Sequence, residues 1–194
     1  MRRQSAKLFY AGASPVRNSI ELIMKYEVQF DDGKRAHQEF SSLAQTKGFI
    51  VTDAPLYVDM RNHIDLYLKK KDKVFSVDVK AMKKINRYDS AAQDKLVYVE
   101  FKNVRGDRGW LYGDADLIAF ETKETFEIVS RKNLVNYCEQ NVERKFVSYA
   151  REALYKFYRR DGRKDLISII ELNKIPKKFV SSWKKNADNL GTIA

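Results

Sequence analysis

Three short segments of the chain alternate between apolar and polar residues, a pattern typical of β-strands that present two different faces. The segments are His63–Leu68 (HIDLYL), Val74–Lys80 (VFSVDVK) and Leu96–Lys102 (LVYVEFK). Residues 69–73 (KKKDK) separate the first two and predict a hairpin turn. Because the alternation has a period of two, each segment places its polar side chains on one side of a sheet. The chain is therefore constrained to fold around these strands.

Helices are predicted before and after this group of strands in the sequence. In segment 34–47 the apolar residues recur at spacings of three and four, and Gly48 supplies a stop. A long helix is predicted over residues 132–159. Further strands are predicted at residues 25–30, 49–51, 116–121, 125–130 and 166–172. This order predicts an α/β fold of the mixed α+β kind, with a central mixed sheet flanked by helices.

Composition and length narrow the class of protein. At 194 residues, 44% of them hydrophobic, the chain can bury the core of one domain. We predict an N-terminal arm or edge strand at residues 1–30 and one domain at 31–194. Its core would cover about 33–130, with a helical extension at 131–194. The single cysteine excludes an internal disulfide, and no segment has the apolar length of a membrane span or a signal peptide. We therefore expect a cytoplasmic protein without a membrane partner.

The charge of the chain indicates a polyanionic partner. Lys and Arg total 37 against 26 Asp and Glu, a formal net charge of +11. Such an excess attracts polyanions, of which nucleic acid is the commonest in a cell. Charge alone does not indicate any chemistry.

Two neighbouring predicted strands carry the residues that suggest catalysis. Asp78 and Lys80 are two positions apart on an otherwise apolar strand, so their side chains leave the same face. Asp65 lies on the polar side of the preceding strand and can converge on Asp78 across the hairpin. Two such carboxylates repel each other unless a cation joins them. A hard divalent ion such as Mg²⁺ suits these oxygens and a substrate phosphate, and a nearby lysine can position the attacking water. Glu39, beside the apolar stripe of the first helix, could lean toward the same point.

These residues resemble the PD-(D/E)XK nuclease family. The resemblance rests on GKRAHQEFSSLAQTKGFIVTDA, HIDLYL and VFSVDVK, within residues 33–102. It implies a restriction-endonuclease-like core in which Glu39 is the helix acid, Asp65 the first strand acid, and Asp78 with Lys80 the (D/E)-x-K pair. Ile64 stands where the family nominally has proline. The segment RYDSAAQDKLVYVEFKNVRGDRGWLYGDADLIAFE is similar to phage-encoded members and implies a viral or mobile-element origin, hence the host cytoplasm.

The resemblance implies an activity, a cofactor and a partner. We expect a Mg²⁺- or Mn²⁺-dependent endonuclease or exonuclease that hydrolyses phosphodiester bonds in DNA, with Asp65, Asp78 and the carbonyl of Val79 as metal ligands. Many proteins of this fold act as dimers, so the resemblance also allows a homodimer.

A second (D/E)-x-K sequence leaves an alternative open. Glu100 and Lys102 could form the metal motif with Asp78 as its first acid, although the Asp65–Asp78 pair needs only a hairpin. Otherwise Glu100 and Lys102 could line the site around the metal ligands. His63, on the polar side with Asp65, and Gln93, which precedes the third strand, are further candidates for that surrounding shell.

Basic residues near the predicted site are candidate nucleic-acid contacts. Lys83, Lys84 and Arg87 follow the catalytic strand and could touch phosphates. Arg105, Arg108 and Trp110 lie on a glycine-rich loop. Trp110 could stack on a base or pack the loop onto the core.

Two other functions fit the same sequence. The protein could bind nucleic acid through the same fold without catalysis, which the charge does not distinguish from a nuclease. It could instead bind a host protein, in which case no salt-dependent DNA affinity is expected. The sequence separates neither DNA from RNA nor endonuclease from exonuclease action.

Overall fold

The computed structural model of the protein describes residues 32–85 and 89–185, which contain two β-sheets and three α-helices. Helix α1 covers residues 32–46, α2 Leu56–Asn62 and α3 Arg131–Asn141. The strands are β1 Ile50–Asp53, β2 Leu66–Lys70, β3 Lys73–Lys80, β4 Leu96–Lys102, β5 Leu117–Glu121, β6 Thr125–Ser130, β7 Glu143–Val147, β8 Lys156–Tyr158, β9 Leu166–Glu171 and β10 Val180–Lys184. The predicted arm at 1–30, with its strand at 25–30, lies outside the described residues.

The larger sheet has six strands in the order β1-β2-β3-β5-β6-β10. It is mixed, because β3 and β5 run parallel while its other pairs are antiparallel. Strands β2 and β3 form the predicted hairpin, with Lys70 paired to Lys73 across the turn. The smaller sheet has the order β4-β9-β8-β7 and is also mixed. The third alternating segment, β4, therefore belongs to a different sheet from β2 and β3.

The six-stranded sheet is covered on both faces, and this places the side chains of β3. Phe40 and Leu43 of α1 pack with Leu66, Val77 and other residues on one face. The opposite face packs against a second cluster that includes Trp110, Phe120 and Leu134. Because neighbouring residues of a strand point to opposite faces, Asp78 and Lys80 lie on the face turned away from α1. The mixed α+β fold is confirmed, with one face of the sheet covered partly by a second sheet rather than by helices alone.

The chain changes face just before β2. Ile64 packs in the cluster with Trp110, whereas Leu66 packs under α1, although the two residues are two positions apart. The alternation predicted for His63–Leu68, which would place Ile64 on the same face as Leu66 and Leu68, is therefore wrong at Ile64. The predicted strand at 63–68 begins only at Leu66 because His63 has a left-handed φ of 54° and ends helix α2.

The predicted helix over 132–159 is wrong beyond Asn141. The predicted helical extension at 131–194 is helical at Arg131–Asn141, and in its described part up to residue 185 four strands follow. The chain forms β7 and β8, which pair in parallel. Phe146 and Phe157 face each other across this pair with ring centroids 5.8 Å apart. Apolar residues continue at spacings of three or four beyond Asn141, so periodicity alone favoured one long helix. Helix α2, which has no buried residue, was not predicted.

Within the residues that the structure describes, no helix is long and apolar enough to span a membrane.

Candidate active site

Asp65 and Asp78 come together at the start of β2 and near the end of β3. The N–H of Asp65 donates to the carbonyl of Val77 at 2.9 Å, and its Oδ2 accepts from the N–H of Val79 at 2.7 Å. The carboxylate of Asp65 therefore lies across the strand gap, beside the residue that follows Asp78. The two carboxylates lie close enough for the charge of Asp78 to raise the pKa of Asp65.

Asp78 and Lys80 form a close ion pair. The Nζ of Lys80 lies 2.6 Å from Oδ1 of Asp78, whose side chain is 2% exposed. The same ammonium lies 4.9 Å from the centroid of the Trp110 ring. Trp110 in turn packs edge-on against Phe120, with ring centroids 6.1 Å apart. The lysine is thus held between a carboxylate and an aromatic face.

The electrostatics of the pair favour a bound cation. Burial raises the pKa of Asp65, and the charge of Asp78 raises it further. Burial also raises the pKa of Asp78, although Lys80 opposes the shift. In addition, Oδ2 of Asp78 is buried and accepts no hydrogen bond from the part of the chain that the structure describes. A buried carboxylate oxygen without a donor is costly, and a divalent ion would satisfy it.

Helix α2 brings two more ionisable groups to the site. Burial raises the pKa of Asp59, and so does the charge of Asp65. Burial lowers the pKa of His63, as does the charge of Lys80, so its imidazole is neutral at pH 7. His63 was a candidate from sequence, but Asp59 was missed. The signal for Asp59 was its place four residues before His63, which puts both on one side of a helix.

Glu39 lies elsewhere, and this corrects the prediction that it leans toward the metal ligands. Its carboxylate pairs with Arg35 at 3.2 Å and with Lys185 at 3.1 Å. Both cations also bind Glu121, whose side chain is fully buried. This cluster lies on the α1 face of the sheet, whereas the side chain of Asp78 leaves the other face. Sequence reasoning placed Glu39 beside the correct apolar stripe but did not fix which face of β3 that stripe covers.

Glu100, on the second sheet, lies within electrostatic range of the candidate site. Its charge acts on His63 and on Lys83. Lys102 is exposed, follows an irregularity in the pairing of β4 and forms a backbone bridge with Arg108. In the structure Asp78 therefore pairs with Lys80, and Lys102 does not join them.

The side chain of Gln93 forms hydrogen bonds within its own loop. Its Oε1 accepts from the N–H of Lys95 and of Leu96, and its Nε2 donates to the carbonyl of Leu96. These bonds use the side-chain amide locally, so the prediction that Gln93 lies around the metal site is not supported.

The predicted nucleic-acid contacts divide into exposed and buried groups. Lys84, Arg105 and Arg108 are exposed. Lys83 is exposed as a residue, yet its ammonium end is desolvated enough to lower its pKa, an effect that Lys80 increases. Arg87 lies outside the described residues. Trp110 is 8% exposed and belongs to the core, so it packs the loop onto the protein and is not free to stack on a base.

The residues present fit a Mg²⁺ or Mn²⁺ ion held by two carboxylates. Within residues 32–85 and 89–185, no group of three or more His, Cys, Asp or Glu side chains is arranged to hold a metal ion. Mg²⁺ is usually bound through one or two carboxylates, with water and substrate phosphate as its other ligands. The N–H of Val79 donates to Asp65, and the carbonyl of the same residue leaves the same edge of β3. This carbonyl is therefore a further possible oxygen ligand.

No family model and no curated protein matches the chain. Among solved structures, the fold of this chain is similar to the structure of the bacterial homing endonuclease I-Ssp6803I. The sequence identity is 19% and the TM-score 0.39, and the match covers 55% of this chain and 71% of that chain. A similarity this distant carries no argument about function, which must come from the residues of the site.

Proposed function

We propose that the protein is a metal-dependent nuclease that hydrolyses phosphodiester bonds in DNA. The observation that carries this proposal is that Asp65 lies beside Asp78 and Lys80, and that a buried oxygen of Asp78 has no donor among the residues that the structure describes. A bound Mg²⁺ or Mn²⁺ would neutralise the two carboxylates and polarise the phosphoryl oxygen. The resemblance of this part of the sequence to PD-(D/E)XK nucleases supports DNA as the substrate.

Each side chain of the site has a defined task in this proposal. Asp65 and Asp78 bind the cation, and the carbonyl of Val79 can assist. Lys80 orients the attacking water, and its ion pair with Asp78 and its contact with Trp110 keep its ammonium in place. Neutral His63 can exchange a hydrogen bond with the substrate without adding charge.

A second function is favoured by one specific observation. The 2.6 Å ion pair between Lys80 and Asp78 partly neutralises that carboxylate without any metal. A protein that binds DNA through this fold but does not cut it would keep such a pair permanently. The two functions share the positive charge of the chain, so only metal dependence and cleavage separate them.

Cleavage assays with matched substitutions test the proposal. Plasmid, linear and branched DNA, and RNA, would be incubated with the protein and Mg²⁺ or EDTA. We expect cutting of DNA only with the metal, and a loss of about 100-fold or more for Asp78→Asn, as when a group that stabilises transition-state charge is removed. Asp72→Asn, an exposed aspartate in the hairpin turn, is the control and should cut like the wild type. Absence of cutting on every substrate, or equal cutting by Asp78→Asn, would contradict the proposal.

A further inference from the structure

A basic groove lies beside the candidate active site. It has a volume of about 670 Å³, and its wall includes Arg108, Tyr112, Asp114, Arg131, Lys132 and Asn136. It runs between the turn at Trp110–Tyr112 and the first residues of α3. The sequence pointed only to Arg108, because α3 meets this turn through the tertiary fold.

Gly113 connects the groove to the active site. It lines the groove, and a Cβ atom at this position would lie 2.9 Å from the Cβ of His63 and 2.9 Å from the carbonyl oxygen of Asn62. The backbone of Gly113 therefore lies between the groove and His63. A linear polymer bound at Lys80 could continue past His63 into the groove.

The cations of the groove are available to a ligand. Among the described residues, Arg108, Arg131 and Lys132 form no ion pair with a carboxylate. The one acid of the groove, Asp114, accepts a hydrogen bond from Asn62 at 2.5 Å. Arg131 donates through Nε to the carbonyl of Ala115 at 2.7 Å, which fixes the base of its guanidinium group. Three cations against one engaged carboxylate make the groove a site for an anion.

The size and lining of the groove favour a polymer of phosphates over a single small anion. A volume of about 670 Å³ far exceeds one phosphate and accommodates a nucleotide unit. The amide of Asn136 can hydrogen-bond a sugar or base, while the cations contact phosphate oxygens. We propose that this groove binds the phosphodiester backbone of the DNA substrate beyond the bond that is cut. The identity of the polymer rests on the proposed function.

Binding measured without metal tests this inference separately from cleavage. Fluorescence anisotropy of a labelled DNA duplex in EDTA, at several salt concentrations, would compare the wild type with Arg108→Ala/Lys132→Ala. Each lost phosphate contact lowers the slope of log K against log salt by about 0.9, so we expect a decrease of roughly 2. The Kd should rise about tenfold or more, as expected when hydrogen bonds to charged groups are removed.

Two further variants make the result decisive. Lys69→Ala/Lys73→Ala removes the same charge from exposed residues at the hairpin end of β3, about 20 Å from Lys80 by the rise of the strand, and should change the slope little. Arg108→Lys/Lys132→Arg keeps both charges and should restore the wild-type slope. Equal slopes in the wild type and the alanine variant, or no DNA binding by the wild type, would overturn the inference. If the slopes differ as expected but no DNA is cut, the groove remains a binding site for the phosphodiester backbone and the proposed nuclease function is refuted instead.

Discussion

Replacing Trp110 with alanine removes the aromatic face on which Lys80 lies and a large part of the core behind it. The indole is 8% exposed, packs against Phe120 and contacts the Lys80 ammonium at 4.9 Å. Truncating a buried aromatic to alanine costs about 3–5 kcal/mol. The cation–π contact adds about 0.5–1 kcal/mol, because Lys80 remains partly exposed. The free energy of unfolding should therefore fall by about 4 kcal/mol.

Urea unfolding followed by circular dichroism measures this loss, and Trp110→Phe is the matched control. The phenyl ring retains most of the packing, so the phenylalanine variant should lose about half as much stability or less. For a domain of this size, a loss of about 4 kcal/mol corresponds to a decrease in Tm of roughly 8–16 °C. A folded alanine variant that loses less than about 1 kcal/mol but binds DNA more weakly would refute this reasoning. That result would instead indicate that the Trp110 ring stacks on bases of the DNA.

Three further outcomes follow from buried groups. In EDTA, Asp78→Asn should become more stable relative to the wild type as pH rises from about 4 to 7 in thermal melts. Because the pKa of Asp78 is raised in the folded protein, ionising this carboxyl at a pH above its usual pKa of 3.8 destabilises the wild type but not the variant. A stability difference between the two proteins that does not change with pH would contradict this. Gly109→Ala should lose about 2 kcal/mol or more in urea unfolding, because its Cβ would lie 2.2 Å from the carbonyl oxygen of Glu100. Gly33→Ala, with nothing within 4 Å, should not lose stability. Glu121→Gln should lose about 3 kcal/mol, and a loss under 1 kcal/mol would show that its ion pairs behave like surface pairs.

The hairpin and its site pair could be predicted because their signals are local. Period-two alternation placed Asp78 and Lys80 on one face, and the short polar segment at 69–73 brought Asp65 to the next strand. Glu39 was misplaced because the sequence does not state which face of β3 the first helix covers. That choice depends on the packing of Val77 against α1.

Other features depend on contacts between segments far apart in sequence. The pairing of β4 with β9 is set by tertiary packing, so the sequence could not show that Glu100 belongs to a second sheet. Asp59 was missed because α2 is only seven residues long and buries none of them. The groove beside Gly113 combines residues from a loop and a helix that only the fold brings together.

Titration with Mn²⁺ tests the central claim, that Asp65 and Asp78 hold one divalent cation, most directly. Isothermal calorimetry of the folded protein should show a single site for Mn²⁺. That site should be lost in both Asp65→Asn and Asp78→Asn and retained in Asp72→Asn. Absence of binding by the wild type, or equal binding by the two site variants, would contradict the claim.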